Sequence, residues 1–120
     1  MKTLATTFVA AAAALGLTGG ASSMALPKLY GTVGPGFTIS MKQGVKRTPV
    51  RTLKAGTYTF VIADKASIHN FVVEGPGVER DITSVPFVGT KTVTIKLRKG
   101  RYKFYCRPHE SSMFGFVRVT

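Results

Sequence analysis

The sequence predicts an all-β domain, an antiparallel sandwich or small barrel, for the chain beyond its first 25 residues. Apolar and polar residues alternate with a period of two over residues 37–42, 57–62 and 92–97, as expected of half-buried strands. No helical period extends over ten or more residues. Turn signals separate the alternating segments at the spacing of a β-sandwich. They are Gly34-Pro35-Gly36, Lys54-Ala55-Gly56, Gly75-Pro76-Gly77 and Lys99-Gly100.

The first 25 residues have the composition of a secretory signal peptide. One early lysine precedes an apolar run from Leu4 to Leu17, and small residues lead to Ala25. The run is shorter than the roughly 20 apolar residues that a membrane-spanning helix needs. We therefore predict cleavage near Ala25, with a retained membrane anchor as the alternative. Residues 26–120 then form a single exported domain, periplasmic or extracellular, with no stable membrane insertion.

The chain is strongly basic. It has 17 lysine and arginine residues against five acidic ones, a net charge of +12. Losing Lys2 with the signal peptide reduces this charge to +11, which favours an acidic protein or an anionic surface as partner. Nucleic-acid binding is not predicted, because the aromatic residues alternate inward and do not interleave with the basic ones on one face. Lys42, Lys46, Arg47 and Arg51 cluster around one loop whose position the sequence leaves open.

Two further segments carry chemically distinctive residues. Residues 67–73 are apolar apart from His69 and Asn70, and predict a strand buried on both faces. Residues 101–106 predict a strand whose inward face ends at Cys106, just before Pro108 interrupts the strand pairing.

Cys106 is the only cysteine of the chain and cannot form an internal disulfide. Taken singly, it has the character of a small buried hydrophobe, and His69, His109 and Met113 of ordinary core or loop residues. Taken together, two imidazoles, a thiol and a thioether are the ligand set of a mononuclear blue-copper site. Thiolate and thioether suit Cu(I), while imidazole suits both oxidation states of copper.

Two other chemistries remain open on the residues alone. Cys106, His69 and His109 could hold zinc with an open position, although a structural zinc site normally has four protein ligands. Alternatively, His109 could activate Cys106 as a nucleophile. The inward position of Cys106 and the absence of a strand-to-helix elbow make an enzyme the weaker interpretation.

From Leu29 to Thr120 the sequence resembles the plastocyanin-like cupredoxins, small exported blue-copper proteins. The resemblance is carried by LKAGTYTFVI, IHNF, GTKTVTIKL and above all YKFYCRPHESSMFGFVRV. It implies a Greek-key β-sandwich of seven or eight strands with one type 1 copper at one end. The implied ligands are His69, Cys106 and His109, with Met113 as the axial ligand.

The resemblance also implies a function. A protein of this kind is not an enzyme but a monomer that shuttles single electrons between redox partner proteins, here partners with an acidic docking surface. A copper carrier or storage protein with the same ligands, and a non-redox binding module, are the alternatives.

Two positions depart from the plastocyanin pattern. Three residues separate His109 from Met113 where plastocyanins have four, which makes Met113 the least secure ligand. Arg107 stands where the family often has Ser or Thr after the cysteine. We therefore expect the side chain of Asn70 to join the two ligand segments through backbone groups.

Overall fold

The chain folds into two five-stranded sheets packed face to face in the computed structural model, which describes residues 25–120. One sheet has the order β3-β2-β1-β5-β8 and the other the order β4-β10-β9-β6-β7. The strands are β1 (Lys28–Val33), β2 (Ile39–Gln43), β3 (Thr48–Pro49), β4 (Thr52–Leu53), β5 (Gly56–Asp64), β6 (Val72–Gly75), β7 (Val78–Asp81), β8 (Gly89–Leu97), β9 (Gly100–Tyr105) and β10 (Phe114–Val119). The predicted β-sandwich is confirmed. The predicted signal peptide lies, except for Ala25, outside the described residues and stays a prediction.

Two strand pairs are parallel, which the expectation of an antiparallel sandwich did not include. β1 pairs in parallel with β5, and β4 with β10, while the other pairs are antiparallel. The chain leaves the first sheet after β3 and adds β4 to the second. It then returns to the first sheet as β5, which lies beside β1 and runs in the same direction as β1. The connection from β1 to β5 is therefore a crossover and not a hairpin.

The core lies between the sheets and consists of the inward residues of each alternating strand. In β5 these are Tyr58, Phe60 and Ile62, all buried. The rings of Phe71, directly before β6, and Phe104 in the adjacent strand β9 stack on the inner face of the second sheet, with centroids 5.9 Å apart. Burial of this apolar surface, worth about 25 cal/mol per Å², is the main force that holds the two sheets together.

One end of the sandwich, here called the cysteine end, collects the segments that flank Cys106. Val33 at the end of β1 pairs with Asp64 at the end of β5. Tyr105 at the end of β9 pairs with Phe114 at the start of β10. Within residues 25–120 the only helix is the 3-10 helix Arg107–His109, and no helix there is long and apolar enough to span a membrane.

Two predicted strand boundaries were wrong. The strand predicted over residues 67–73 begins only at Val72, because Ser67 and Ile68 form a turn that leaves Ile68 about half exposed. Phe37 precedes β2 and is 62% exposed, although its place in the alternating pattern predicted an inward side chain. In both cases a turn redirects the chain before the regular strand starts.

Candidate metal centre

A tight loop between β9 and β10 carries two of the candidate ligands. Cys106 ends the inward face of β9, and the 3-10 helix that follows brings His109 back toward it. The His109 N–H donates to the Cys106 carbonyl at 3.1 Å, and the Cys106 N–H donates to the Met113 carbonyl at 3.0 Å. These backbone hydrogen bonds close the loop and fix the backbone positions from which the side chains of Cys106 and His109 extend.

His69 reaches the same point from the segment that leads into β6, the strand that pairs with β9. The turn at Ser67 and Ile68 directs it inward, and its side chain is fully buried. Gly34, with φ +77°, lies directly against its ring: a Cβ there would be 3.2 Å from His69 Cδ2. Glycine is required at this position both for the backbone conformation and for the close approach.

The donor atoms of three side chains converge. Nδ1 of His69 is 3.1 Å from Nδ1 of His109, and Sγ of Cys106 is 3.7 Å and 3.6 Å from these two nitrogens. A trigonal ion with ordinary metal–nitrogen and metal–sulfur bonds would hold such atoms about 3.5 to 3.8 Å apart. The two sulfur–nitrogen separations match this range, and the two nitrogens need to move apart by only about 0.4 Å to match it, so the triangle is close to the size that one metal ion requires. Among residues 25–120 it is the only group of three or more histidine, cysteine or acidic residues so arranged.

The two ring nitrogens of His69 have different surroundings. Nδ1 faces His109 and Cys106, whereas Nε2 is buried and has no hydrogen-bond partner among the described groups. Nδ1 is therefore the nitrogen that is placed to bind a metal. With its proton on Nε2, the ring leaves Nδ1 free as a metal ligand. The thiol and thioether in the loop then favour copper over harder metals.

Met113 lies at the end of this loop, directly before β10. Its side chain is 1% exposed and belongs to the core cluster, and its N–H donates to the His109 carbonyl at 2.9 Å. It is thus a buried thioether attached to the same closed loop as Cys106 and His109. Its role as the axial ligand stays a prediction.

Asn70 joins the two ligand segments, as expected, through a backbone group. Its Oδ1 accepts a hydrogen bond from the Arg107 N–H at 2.8 Å. Its Nδ2 donates to Asp81 at 3.1 Å, and Asp81 also accepts two bonds from the Arg107 guanidinium. These bonds hold the pKa of the Asp81 carboxyl below its usual value. Asp81 was not among the predicted site residues, because nothing in the sequence relates it to Arg107.

A second carboxyl, that of Asp64, is buried at the cysteine end. It is 1% exposed, and its Oδ1 accepts from the Ala66 N–H at 3.3 Å while its Oδ2 has no partner among the described groups. Burial raises the pKa of the Asp64 carboxyl above its usual value. The only acid on the ligand loop, Glu110, is exposed and pairs with Lys103.

Phe37 is the contact that the sequence interpretation missed. Its ring meets both histidine rings edge to face, with centroids 5.2 Å from His69 and 4.8 Å from His109. His109 is partly exposed beside it. Gly34-Pro35-Gly36 was identified only as a turn, although it is this turn that brings Phe37 over the site.

The fold and the site together define a small β-sandwich protein whose His69, Cys106 and His109 cluster is positioned for a single type 1 copper ion. Residues 37–120 match the family described as copper binding proteins, plastocyanin/azurin family. The chain belongs to this family of cupredoxins.

Solved structures agree on the fold. A structure of the copper protein rusticyanin is 20% identical, with a TM-score of 0.54, and the match covers 78% of this chain and 76% of that one. A reduced mutant of amicyanin is 19% identical, with a TM-score of 0.50 and coverage of 81% and 86%. No curated protein matches the chain significantly.

The hydrogen bonds of Asp81 lead to a pH-dependent prediction. Asp81→Asn should lower the free energy of unfolding of the metal-free protein by about 1 kcal/mol at pH 7. Because the folded-state pKa is depressed, this stabilisation is present above the ordinary value of 3.8 and is lost as the pH falls through the folded-state pKa. Urea unfolding at pH 7 and at about pH 2.5 should therefore show the difference between the two proteins closing in acid.

Glu79→Gln is the matched control, since it removes the same charge from a carboxylate that is 3.9 Å from Arg107. It should change the free energy of unfolding by less than about 0.5 kcal/mol. Equal losses in the two variants, or an Asp81→Asn difference that persists in acid, would contradict the assignment.

Proposed function

We propose that this protein is an exported electron carrier that accepts and donates single electrons through one copper ion. The observation that carries the proposal is the triangle formed by Nδ1 of His69, Nδ1 of His109 and Sγ of Cys106. Copper bound there would supply a one-electron couple between Cu(I) and Cu(II). Cys106 would lose its proton on binding and act as thiolate, while the imidazoles bind through Nδ1.

The closure of the site favours electron transfer over copper carriage. Cys106 and His69 are fully buried, and Met113 is 1% exposed. A protein that hands copper to a partner must expose its ligands to a second set of donors. Buried ligands attached to a hydrogen-bonded loop instead suit a site that keeps its metal and rearranges little when one electron moves.

His109 is the proposed electron port. It is the one partly exposed member of the triangle, and it contacts Phe37, which is 62% exposed. Two more exposed apolar side chains, Ile68 at 51% and Val88 at 57%, belong to the same end of the sandwich. Such a surface suits brief contact with a redox partner, since redox encounters are usually small and weak. We propose no enzymatic reaction for the protein.

The partners are proposed to be redox proteins with an acidic surface. The net charge of +11 expected after signal cleavage would attract them over a distance and make their association sensitive to salt. The contact itself would be mainly apolar, at the cysteine end.

Adding one equivalent of Cu(II) to the metal-free protein tests the proposal. We expect an intense blue absorption band that a reductant bleaches and an oxidant restores over repeated cycles, without loss of copper to a chelator. Cys106→Ser should abolish the band, because the thiolate is its source, whereas Glu110→Gln on the same loop should retain it. Absence of a blue band would refute the function. Ready loss of Cu(I) to the chelator would instead identify a copper carrier.

The role proposed for Met113 has its own test. Met113→Leu preserves most of the side-chain volume but removes the thioether, so the fold should survive. We expect a shifted absorption spectrum and a higher reduction potential, because an apolar leucine in place of a weak donor makes the surroundings less favourable for the more highly charged Cu(II). Met41→Leu, at the other buried methionine of residues 25–120, is the control and should leave both the spectrum and the potential unchanged. If the two variants behave alike in voltammetry, Met113 is not a ligand.

A further inference from the structure

The charges of the protein are unevenly distributed between its two ends. The three ion pairs of the described residues involve only Lys103 and Arg107 among the basic side chains. The end opposite Cys106, here called the basic end, is formed by the turns at residues 44–47, 54–55, 75–77 and 98–99 and the adjoining strand ends. Its cations are Lys28, Lys46, Arg47, Arg51, Lys54, Lys96, Arg98, Lys99, Arg101 and Arg118. None of them has an ion-pair partner within residues 25–120. These turns contain no acidic residue, although Glu79 lines the same groove as Lys96 and Arg98.

Exposed apolar side chains lie among these cations. Val45 is 97% exposed at the tip of the turn that carries Lys46. Leu26 is 42% exposed beside that turn, and Phe116 is 41% exposed in a groove lined by Lys99 and other cations of the basic end. The apolar groups are spread over the whole end and do not form one pocket.

The N-terminal segment joins the described domain at this same end. β1 begins at Lys28, which pairs with Thr59 in the first half of β5, and it runs toward the cysteine end. Residues 1–24, with their apolar run from Leu4 to Leu17, therefore connect to the domain beside the basic end.

We propose that the basic end is a membrane-facing surface that adsorbs reversibly to a bilayer containing anionic lipid. Clustered lysine and arginine residues are attracted to such a surface, and exposed apolar tips enter its interfacial layer. A compact acidic protein fits the observations less well, because the cations and apolar tips extend over several loops without forming a pocket. In this orientation the cysteine end, with His109 and Phe37, points away from the bilayer.

The chain has no tryptophan, so a single one can report on each end. Val45→Trp places it at the basic end, and Val88→Trp places it at an exposed position of the cysteine end. The metal-free protein, as recovered after export, is mixed with phosphatidylcholine vesicles that do or do not contain phosphatidylglycerol. We expect the emission of the tryptophan at position 45 to shift to the blue only with the anionic vesicles, and the emission of the one at position 88 to stay unchanged.

Charge variants give a second measurement that needs no tryptophan. Lys46→Gln with Lys99→Gln should weaken binding to anionic vesicles roughly 30-fold, from about fivefold per charge. Lys65→Gln with Lys91→Gln, at the cysteine end, should have little effect. Equal weakening in the two pairs, equal blue shifts at positions 45 and 88, or no shift at either would overturn the proposal. So would binding to polyglutamate without binding to vesicles, which would point to an acidic protein as the partner.

Discussion

The hydrogen bond between the Arg107 N–H and Oδ1 of Asn70 is the contact on which the candidate site depends. Asn70 follows His69 on a segment that leads into β6, while Arg107 lies between Cys106 and His109 on the loop that leaves β9. The bond therefore fixes the two halves of the donor triangle relative to each other. Asp81 then binds both Asn70 and Arg107, so that a single carboxylate supports both ends of this connection.

The β-sandwich explains why such an arrangement can be rigid. Cys106 continues the inward face of β9, and the 3-10 helix needs only three residues to return His109 to the same point. The buried ligands exclude water, while His109 and Phe37 remain accessible at the surface. The cations concentrate at the opposite end, far from these groups. The two proposed roles, electron exchange and adsorption to a membrane, are thus assigned to opposite ends of the domain.

Local patterns in the sequence were sufficient for the strands and for the loop of the site. Period-two alternation identified β5, β8 and β9, and the spacing of Cys106 and His109 is a local feature of the chain. Contacts across long sequence separations were not predictable in the same way. The parallel pairing of β1 with β5, the bonds between Asp81 and Arg107, and the position of Phe37 over the histidines depend on the folded arrangement.

The strand predicted around His69 was wrong because an apolar segment can be buried without being extended. The signal peptide and the axial role of Met113 stay predictions.

The central claim is that the fold holds the three donor atoms in position for copper before the metal binds. Crystal structures of the metal-free and the copper-loaded protein test it most directly, by the separations between Nδ1 of His69, Nδ1 of His109 and Sγ of Cys106. We expect these separations to differ by no more than about 0.5 Å between the two forms, as in a preorganised site. A loop from Cys106 to Met113 that rearranges by several ångströms on binding, or copper bound by other residues, would contradict the account.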